Sequence, residues 1–365
     1  MTRVLFISLA AGAGHVQAAV ALEKTAAQFF PDLITAHLEM SDYLPAIYRA
    51  GLVDSYHSIT KRSPRIWSYL YSLSNTERFT HLAALAITPA KFMGSSAFYE
   101  AVQNFQPDHI ICTNSVPAYF LAEPPQGFNL TAPVSVVVTD YGLHWYWIQP
   151  NVAHYFVATE TMRRQLIREA KVKPSQVVVS GIPVDPLWYE TTNRAILAKA
   201  HQIPLDRPVV LILSGGHGLI DLAEIVPLLE QVAQPLTIIA VAGKNKAMHK
   251  KLSALPKNKH RLEILGWTSG MPDLVRVADL VISKPGGLTT TECLIAGKPL
   301  IAIHPIPGQE EANVKFITAN HLGLSIKKNN ALPGAVERLL REPFQPKPVK
   351  PIIPAAQTIF KTILA

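Results

Sequence analysis

Short apolar runs rich in β-branched residues alternate with segments of helical length along almost the whole of this 365-residue chain. Runs at 4–9, 34–38, 109–112, 134–139, 155–158 and 177–180 read as buried strands of a first half. Runs at 209–213, 236–242, 261–265, 280–283 and 300–303 read the same way in a second. Apolar strands separated by helix-length connections imply βαβ crossovers and a parallel sheet, here twice. No internal sequence repeat is evident, so two similar α/β architectures are expected rather than a tandem duplication.

The halves divide near Gly181-Ile182-Pro183-Val184-Asp185-Pro186, where two prolines and a glycine halt regular structure. Domains are therefore expected at 1–184 and 185–342. Residues 343–365 follow as a stiff connector with prolines at 343, 346, 348, 351 and 354 and a short docking helix carrying Ile359, Phe360, Ile363 and Leu364.

Composition excludes several classes. An apolar content of 48% with 16% charged residues excludes a disordered chain. Two cysteines, Cys112 and Cys293, exclude a disulfide scaffold and a cysteine-based metal cluster, and suit a reducing compartment. The net charge of +8 lies mostly in the second half. Nucleic acid, an anionic membrane or an anionic small substrate would each account for it. Residues 4–22 carry no formal charge and imitate a signal peptide, but Gly12-Ala13-Gly14-His15 breaks the apolar stretch after one strand. Strand, glycine turn and helix is the expectation there. No other window approaches a membrane span, so attachment to a membrane is expected only at its surface.

Residues 55–96 differ from the α/β remainder. Tyr56, Trp67, Tyr69, Tyr71, Phe79 and Phe92 are interleaved with Lys61, Arg62, Arg65, Arg78 and Lys91, and Glu77 is the only acid. Such a mixture suits an anionic membrane interface, or a helical insertion with buried aromatics. The run Lys244, Lys246, Lys250, Lys251, Lys257, Lys259 and Arg261 suits a solvated helix face or a lipid contact. Nucleic acid is not expected, because no recognised binding motif accompanies it.

Five strand-to-helix loops carry candidate chemistry. Gly12-Ala13-Gly14-His15 follows the first strand and opens a helix, placing His15 where a base can work or where a histidine caps the turn. Gln17 stands where a dinucleotide fingerprint would need its third glycine. Ser214-Gly215-Gly216-His217-Gly218 can present backbone N–H groups to a diphosphate, without the lysine of a P-loop. Ser283-Lys284-Pro285-Gly286-Gly287-Leu288-Thr289-Thr290-Thr291-Glu292 sets hydroxyls at a helix start, with Glu292 placed either for ribose hydroxyls or as a capping partner. Pro307-Gly308-Gln309-Glu310-Glu311-Ala312-Asn313 offers three consecutive long polar acceptors, a clamp for sugar hydroxyls or a solvated helix start. Thr139-Asp140, with His144 and the aromatics Trp145, Tyr146 and Trp147, follows another buried strand. Asp140 is a candidate base or the orienter of an imidazole.

With Gly243-Lys244-Asn245 and Leu265-Gly266-Trp267, and in this order from residue 4 to about 320, these motifs resemble the diacylglycerol glycosyltransferases. That family includes bacterial processive diacylglycerol β-glucosyltransferases and plant-type monogalactosyldiacylglycerol synthases, with the peptidoglycan N-acetylglucosaminyl transferase more distant. The likeness is weakest at 40–100 and absent after about 340. Lys284-Pro285-Gly286-Gly287 looks more like the glucosyl branch.

The resemblance implies a GT-B fold, two Rossmann-like domains with parallel sheets facing an inter-domain cleft. It implies an inverting transfer of glucose or galactose from UDP-glucose or UDP-galactose to diacylglycerol at the inner face of a bacterial membrane. No metal or other cofactor is expected, and no suitably spaced Asp-x-Asp pair is present. The N-terminal domain would receive the lipid and the C-terminal domain the UDP-sugar. His15 would be the general base, with Asp140 its orienter or alternative. Gly266 and Trp267 would meet uracil and Glu292 the ribose. Gly216, His217, Gly286, Gly287 and Thr289 would hold the diphosphate, while Gln309 and Glu310 would bind the sugar, supported by Asn313. Lys61, Arg62, Arg65, Trp67 and Trp147 would face acceptor or membrane. Competing expectations are a transferase of the same fold acting on another lipid acceptor, such as a lipid-linked peptidoglycan precursor, a UDP-sugar epimerase, and a non-catalytic UDP-sugar sensor.

Overall fold

The structure, a computed structural model, describes residues 1–51, 58–60, 63–76, 88–89, 91, 95–215, 220–256, 259–342, 344–347 and 354–365. The chain divides into two compact units. One holds Met1–Pro186, Ile306–Gln309 and Lys350–Ala365, and the other holds Leu187–Pro305 and Glu310–Val349.

In the first unit six strands form one parallel sheet: β1 (Arg3–Ser8), β2 (Ile34–Glu39), β3 (His109–Cys112), β4 (Val134–Val137), β5 (Val152–Val157) and β6 (Val177–Val179). Their spatial order is β2-β1-β3-β4-β5-β6. The second unit repeats the architecture with β7 (Val209–Leu213), β8 (Thr237–Gly243), β9 (Arg261–Gly266), β10 (Leu280–Ser283), β11 (Leu300–Ala302) and β12 (Gly323–Ser325), ordered β12-β11-β10-β7-β8-β9. In both sheets the chain moves to one side of its first strand and then returns to the other. Such a reversal leaves a crevice at the strands' carboxyl ends, between β1 and β3 and between β7 and β10.

The expected α/β fold with two parallel sheets is present, and each predicted strand is found with ends shifted by at most a few residues. The exception is β12, which the alternation of apolar runs does not reveal. Glycine at its start reads as a breaker, yet parallel pairing with β11 demands it: a Cβ on Gly323 would lie 1.8 Å from the carbonyl oxygen of Leu300.

Helices cover the sheets through apolar faces. The helix Ala13–Phe29 buries Ala19, Leu22 and Ala26 against Val4 and Phe6. The distal helix Ala355–Ile363 completes the same core with Ile359, Phe360 and Ile363. The Phe360 ring meets Phe6 edge-on at 6.0 Å and Phe30 at 4.9 Å. The second unit has its own core, in which Val210, Ile212, Leu280 and Ile282 of the sheet pack with Leu229 and Val336.

Because Phe360 is fully buried, truncating it removes apolar area and opens a cavity in the first unit. Phe360→Ala is expected to cost about 3–5 kcal/mol in urea unfolding of the full chain. A loss below about 1 kcal/mol would show that this helix is dispensable to that core.

Candidate functional site

The turn after β1 reaches Gly12 at φ 150°, a backbone conformation L-residues rarely adopt, and from there the helix Ala13–Phe29 begins. His15 lies in its first turn, half-buried. Its Nδ1 is 2.9 Å from the carbonyl oxygen of Thr113, just beyond β3, and 2.9 Å from Oγ1 of Thr139, beyond β4. A carbonyl only accepts, so Nδ1 carries the proton and donates to Thr113. Nε2 is therefore left with its lone pair, on the ring edge that faces Gly12. Thr113 Oγ1 closes the arrangement by donating to the His15 carbonyl at 2.8 Å. Burial lowers the His15 pKa to about 4, against the pull of the Thr113 carbonyl and the Glu39 carboxylate. The positive end of its own helix acts in the same direction as burial. At neutral pH the ring is an uncharged acceptor.

Asp140 was expected to orient this ring. The groups seen on Nδ1 are Thr113 and Thr139; Asp140 follows Thr139 directly, half-buried at the same end of the sheet. Thr113 carries no motif signal of its own, because a backbone carbonyl serves whatever the residue.

A second group at this edge went unforeseen. Glu39, at the end of β2, accepts from Ser8 Oγ at 2.5 Å, from Ala10 N–H at 2.9 Å, and from Ser41 N–H and Oγ at 3.1 and 2.9 Å. Since Ser8 donates to Glu39, it accepts from His37 Nε2 at 2.8 Å. With both oxygens so occupied, the carboxylate pins the β1 turn that leads to His15.

Beyond β4, His144 is buried and its tautomer is also fixed. Nδ1 accepts from Tyr146 N–H at 3.1 Å, so Nε2 donates to the Tyr71 carbonyl at 3.0 Å. The bond ties the helix Pro64–Ser74 to the loop that carries Trp147. Trp147 is itself 7% exposed, with its ring 5.9 Å from that of His15. It lines the histidine and does not face a membrane. Trp67, also expected at a membrane, is half-buried against Tyr71 at 5.9 Å. Arg65 is exposed, as are Ile66, Tyr69 and Leu70, whose helical spacing puts an apolar stripe on the outer face. Lys61 and Arg62 lie outside the described residues.

In the second unit the loops after β7, β8, β9 and β10 gather at one edge. Gly216 and His217 lie outside the described residues, and description stops at Gly215, which has φ +78°. A Cβ there would lie 4.0 Å from Cε of Lys284, bringing the β7 and β10 loops together at the crevice. Gly286 precedes the helix Gly287–Ile295 and leaves its first N–H groups without a side-chain cap. Of the three threonines there, Thr290 and Thr291 are buried, while Thr289 is half-buried. Glu292 stands too far along the helix for a capping box and is half-buried. Gly266 ends β9 opposite Gly243, and Trp267 is 68% exposed.

Asn313 is fully buried and donates from Nδ2 to the Pro285 carbonyl at 2.9 Å, fixing the Pro-Gly turn. Gln309 is half-buried on the turn Ile306–Gln309. The open clamp expected of Gln309, Glu310 and Glu311 is not what Glu310 presents. Its side chain is buried and its Oε1 is ion-paired with Lys284 Nζ. Among the described residues no three His, Cys, Asp or Glu side chains are grouped to hold a metal, and no helix is long and apolar enough to cross a membrane.

Residues 15–184 match the Monogalactosyldiacylglycerol (MGDG) synthase family, and residues 209–361 match the Glycosyltransferase family 28 C-terminal domain. The chain is 30% identical over 347 residues to the processive diacylglycerol beta-glucosyltransferase of Bacillus subtilis (strain 168), covering 93% of this chain and 87% of that one. The chain belongs to the diacylglycerol glycosyltransferase family. The homologue of Bacillus pumilus (strain SAFR-032), of the same name, is 29% identical over the same share of each chain. Solved structures share the family's fold at lower identity. MurG of Acinetobacter baumannii superposes with a TM-score of 0.56 at 16% identity, covering 100% of this chain and 99% of its own. UDP-GlcNAc 2-epimerase of Neisseria meningitidis, bound to UDP-GlcNAc, gives 0.59 at 15% identity over the full length of both. This member of the family is thus a glycosyltransferase with the two-sheet α/β architecture.

The buried imidazoles make a pH prediction. His15 and His144 both have pKa values lowered to about 4 by burial, below the 6.5 of an exposed histidine. Between these values the unfolded chain binds more protons, so stability should fall as pH drops from about 6.5 to about 4. NMR titration of the imidazoles should find His15 neutral at pH 5.5; a midpoint near 6.5 would contradict this environment.

Proposed function

We propose that this chain transfers a hexose, glucose by preference, from a UDP-sugar to the free hydroxyl of diacylglycerol, inverting the anomeric centre without a metal. The observation that carries the proposal is the tautomer of His15. A neutral imidazole with Nδ1–H anchored on Thr113 presents Nε2 as a proton acceptor beside a strand end. In the proposed reaction Nε2 takes the proton of the lipid hydroxyl as its oxygen bonds to the anomeric carbon. The bond from that carbon to the UDP oxygen breaks on the opposite face. Glu39 and the Thr113 carbonyl favour the imidazolium as it forms. The negative charge leaving with UDP is received by the N–H groups at the start of the helix Gly287–Ile295.

The remaining assignments follow the family. The first unit takes the lipid and the second the nucleotide, with uracil at Gly266 and Trp267, ribose at Glu292, diphosphate at Gly216, His217, Gly286, Gly287 and Thr289, and sugar at Gln309 and Glu310. Asn313 acts through Pro285. The name shared by the curated relatives supports glucose and diacylglycerol as substrates. The exposed Arg65, Ile66, Tyr69 and Leu70 support docking on an anionic membrane surface from the cytoplasmic side.

Two measurements test this. UDP release with UDP-glucose and diacylglycerol vesicles should fall by about 10²–10⁴-fold in kcat for His15→Ala, with KM for UDP-glucose changed less than about twofold. Near-normal turnover would remove His15 as the base, and UDP-glucose binding without UDP release from any lipid acceptor would favour a sensor. Sedimentation with anionic vesicles should drop at least several-fold for Ile66→Glu/Leu70→Glu while UDP binding is retained. Unchanged sedimentation would rule out this helix as the membrane contact.

A further inference from the structure

Lys284 and Glu310 form a pair that the assignments above leave unexplained. Lys284 follows β10 and Glu310 precedes the helix Glu311–Ala319, so the two sit on neighbouring strand-end loops of the second unit. The Glu310 side chain is 4% exposed and that of Lys284 17%, and Nζ meets Oε1 directly. The same carboxylate oxygen lies 3.8 Å from where a Cβ of Gly286 would be, and Lys284 Cε lies 4.0 Å from where a Cβ of Gly215 would be. The cation thus lies beside both glycine turns, and the carboxylate lies beside the Pro-Gly-Gly turn.

Burying a carboxylate or an ammonium is costly, and in this pair each charge offsets the cost of the other. A diphosphate at the glycine turns brings at least two negative charges and competes for the ammonium. If Lys284 turned to the diphosphate alone, Glu310 would be left buried without its cation. Hydroxyls of an attached sugar remove that penalty by donating to the carboxylate.

We propose that Lys284 is a diphosphate ligand held by Glu310 until the donor arrives, and that its transfer to the diphosphate releases Glu310 to the sugar hydroxyls. The proposal rests on the donor assignment above and adds a consequence to it. Exchange is favourable with UDP-sugar and opposed with UDP, so the pair discriminates the donor from the spent nucleotide. UDP leaves as Lys284 returns to Glu310.

Calorimetric titration of the full chain with UDP and with UDP-glucose, in the absence of lipid acceptor, tests the exchange. Glu310→Gln frees the lysine and should bind UDP about tenfold more tightly than wild type, while its preference for UDP-glucose over UDP collapses towards unity. Lys284→Met/Glu310→Gln, which leaves no buried charge unpaired, should lose that gain and bind UDP about tenfold less tightly than Glu310→Gln alone. UDP affinity that is unchanged or weaker in a folded Glu310→Gln protein would overturn the exchange, as would equal UDP affinity of the single and double variants. Wild-type protein that binds neither nucleotide would instead overturn the donor assignment, and this proposal with it.

Discussion

A chain that lays its second strand on one side of the first and later returns to the other side leaves a gap above the first strand. No crossover helix lies over that point, because crossovers to either side diverge from it. Two such gaps are present, one in each sheet. At the first, the β1 turn supplies His15 and the β3 turn supplies the carbonyl that fixes its tautomer. At the second, the β7 turn supplies Gly215 and the β10 turn supplies Lys284 and the Pro-Gly-Gly entry to a helix. Parallel pairing makes this possible, since it puts every strand's carboxyl end on one edge of its sheet.

Both gaps handle charge by the same rule, which is that nothing ionised is buried without compensation. His15 is kept neutral, and its helix and its burial both oppose a proton. Four hydrogen bonds reach the two oxygens of Glu39. Glu310 is ion-paired with Lys284. In groups of this kind the balance of charge is set by neighbours, so a new charge nearby shifts partner or protonation. That makes them suited to chemistry without a reorganising solvent shell.

Much of this was legible in the amino-acid order. Buried parallel strands must be apolar throughout, so the runs stood out, and Asp140 sits on a strand-end loop while His15, Thr289 and Asn313 sit in the first turn of the helices that follow strands. What stayed hidden has physical causes. The glycine that opens β12 looks like a stop because its role, clearing the Leu300 carbonyl, exists only once the strands are paired. Trp67 and Trp147 look alike in a list of aromatics near cations, but composition carries no helix phase. Ile66, Tyr69 and Leu70 face out while Trp67 is half-buried against Tyr71. The Lys284–Glu310 pair joins loops 26 residues apart, and Glu39 takes partners both from the β1 turn and from its own strand end. Contacts that depend on tertiary placement leave no periodic trace.

The helix Ala355–Ile363 lends Phe360 and Ile359 to a core otherwise built from residues before 187. During synthesis the whole second unit emerges before that helix does. The first unit must therefore wait, with Phe6 and Phe30 uncovered, while the second is already able to fold. The order of maturation is thus the reverse of the order of translation: the second unit can be finished first. A nascent chain of this enzyme can hold one finished α/β unit while the core of the other still lacks its last helix.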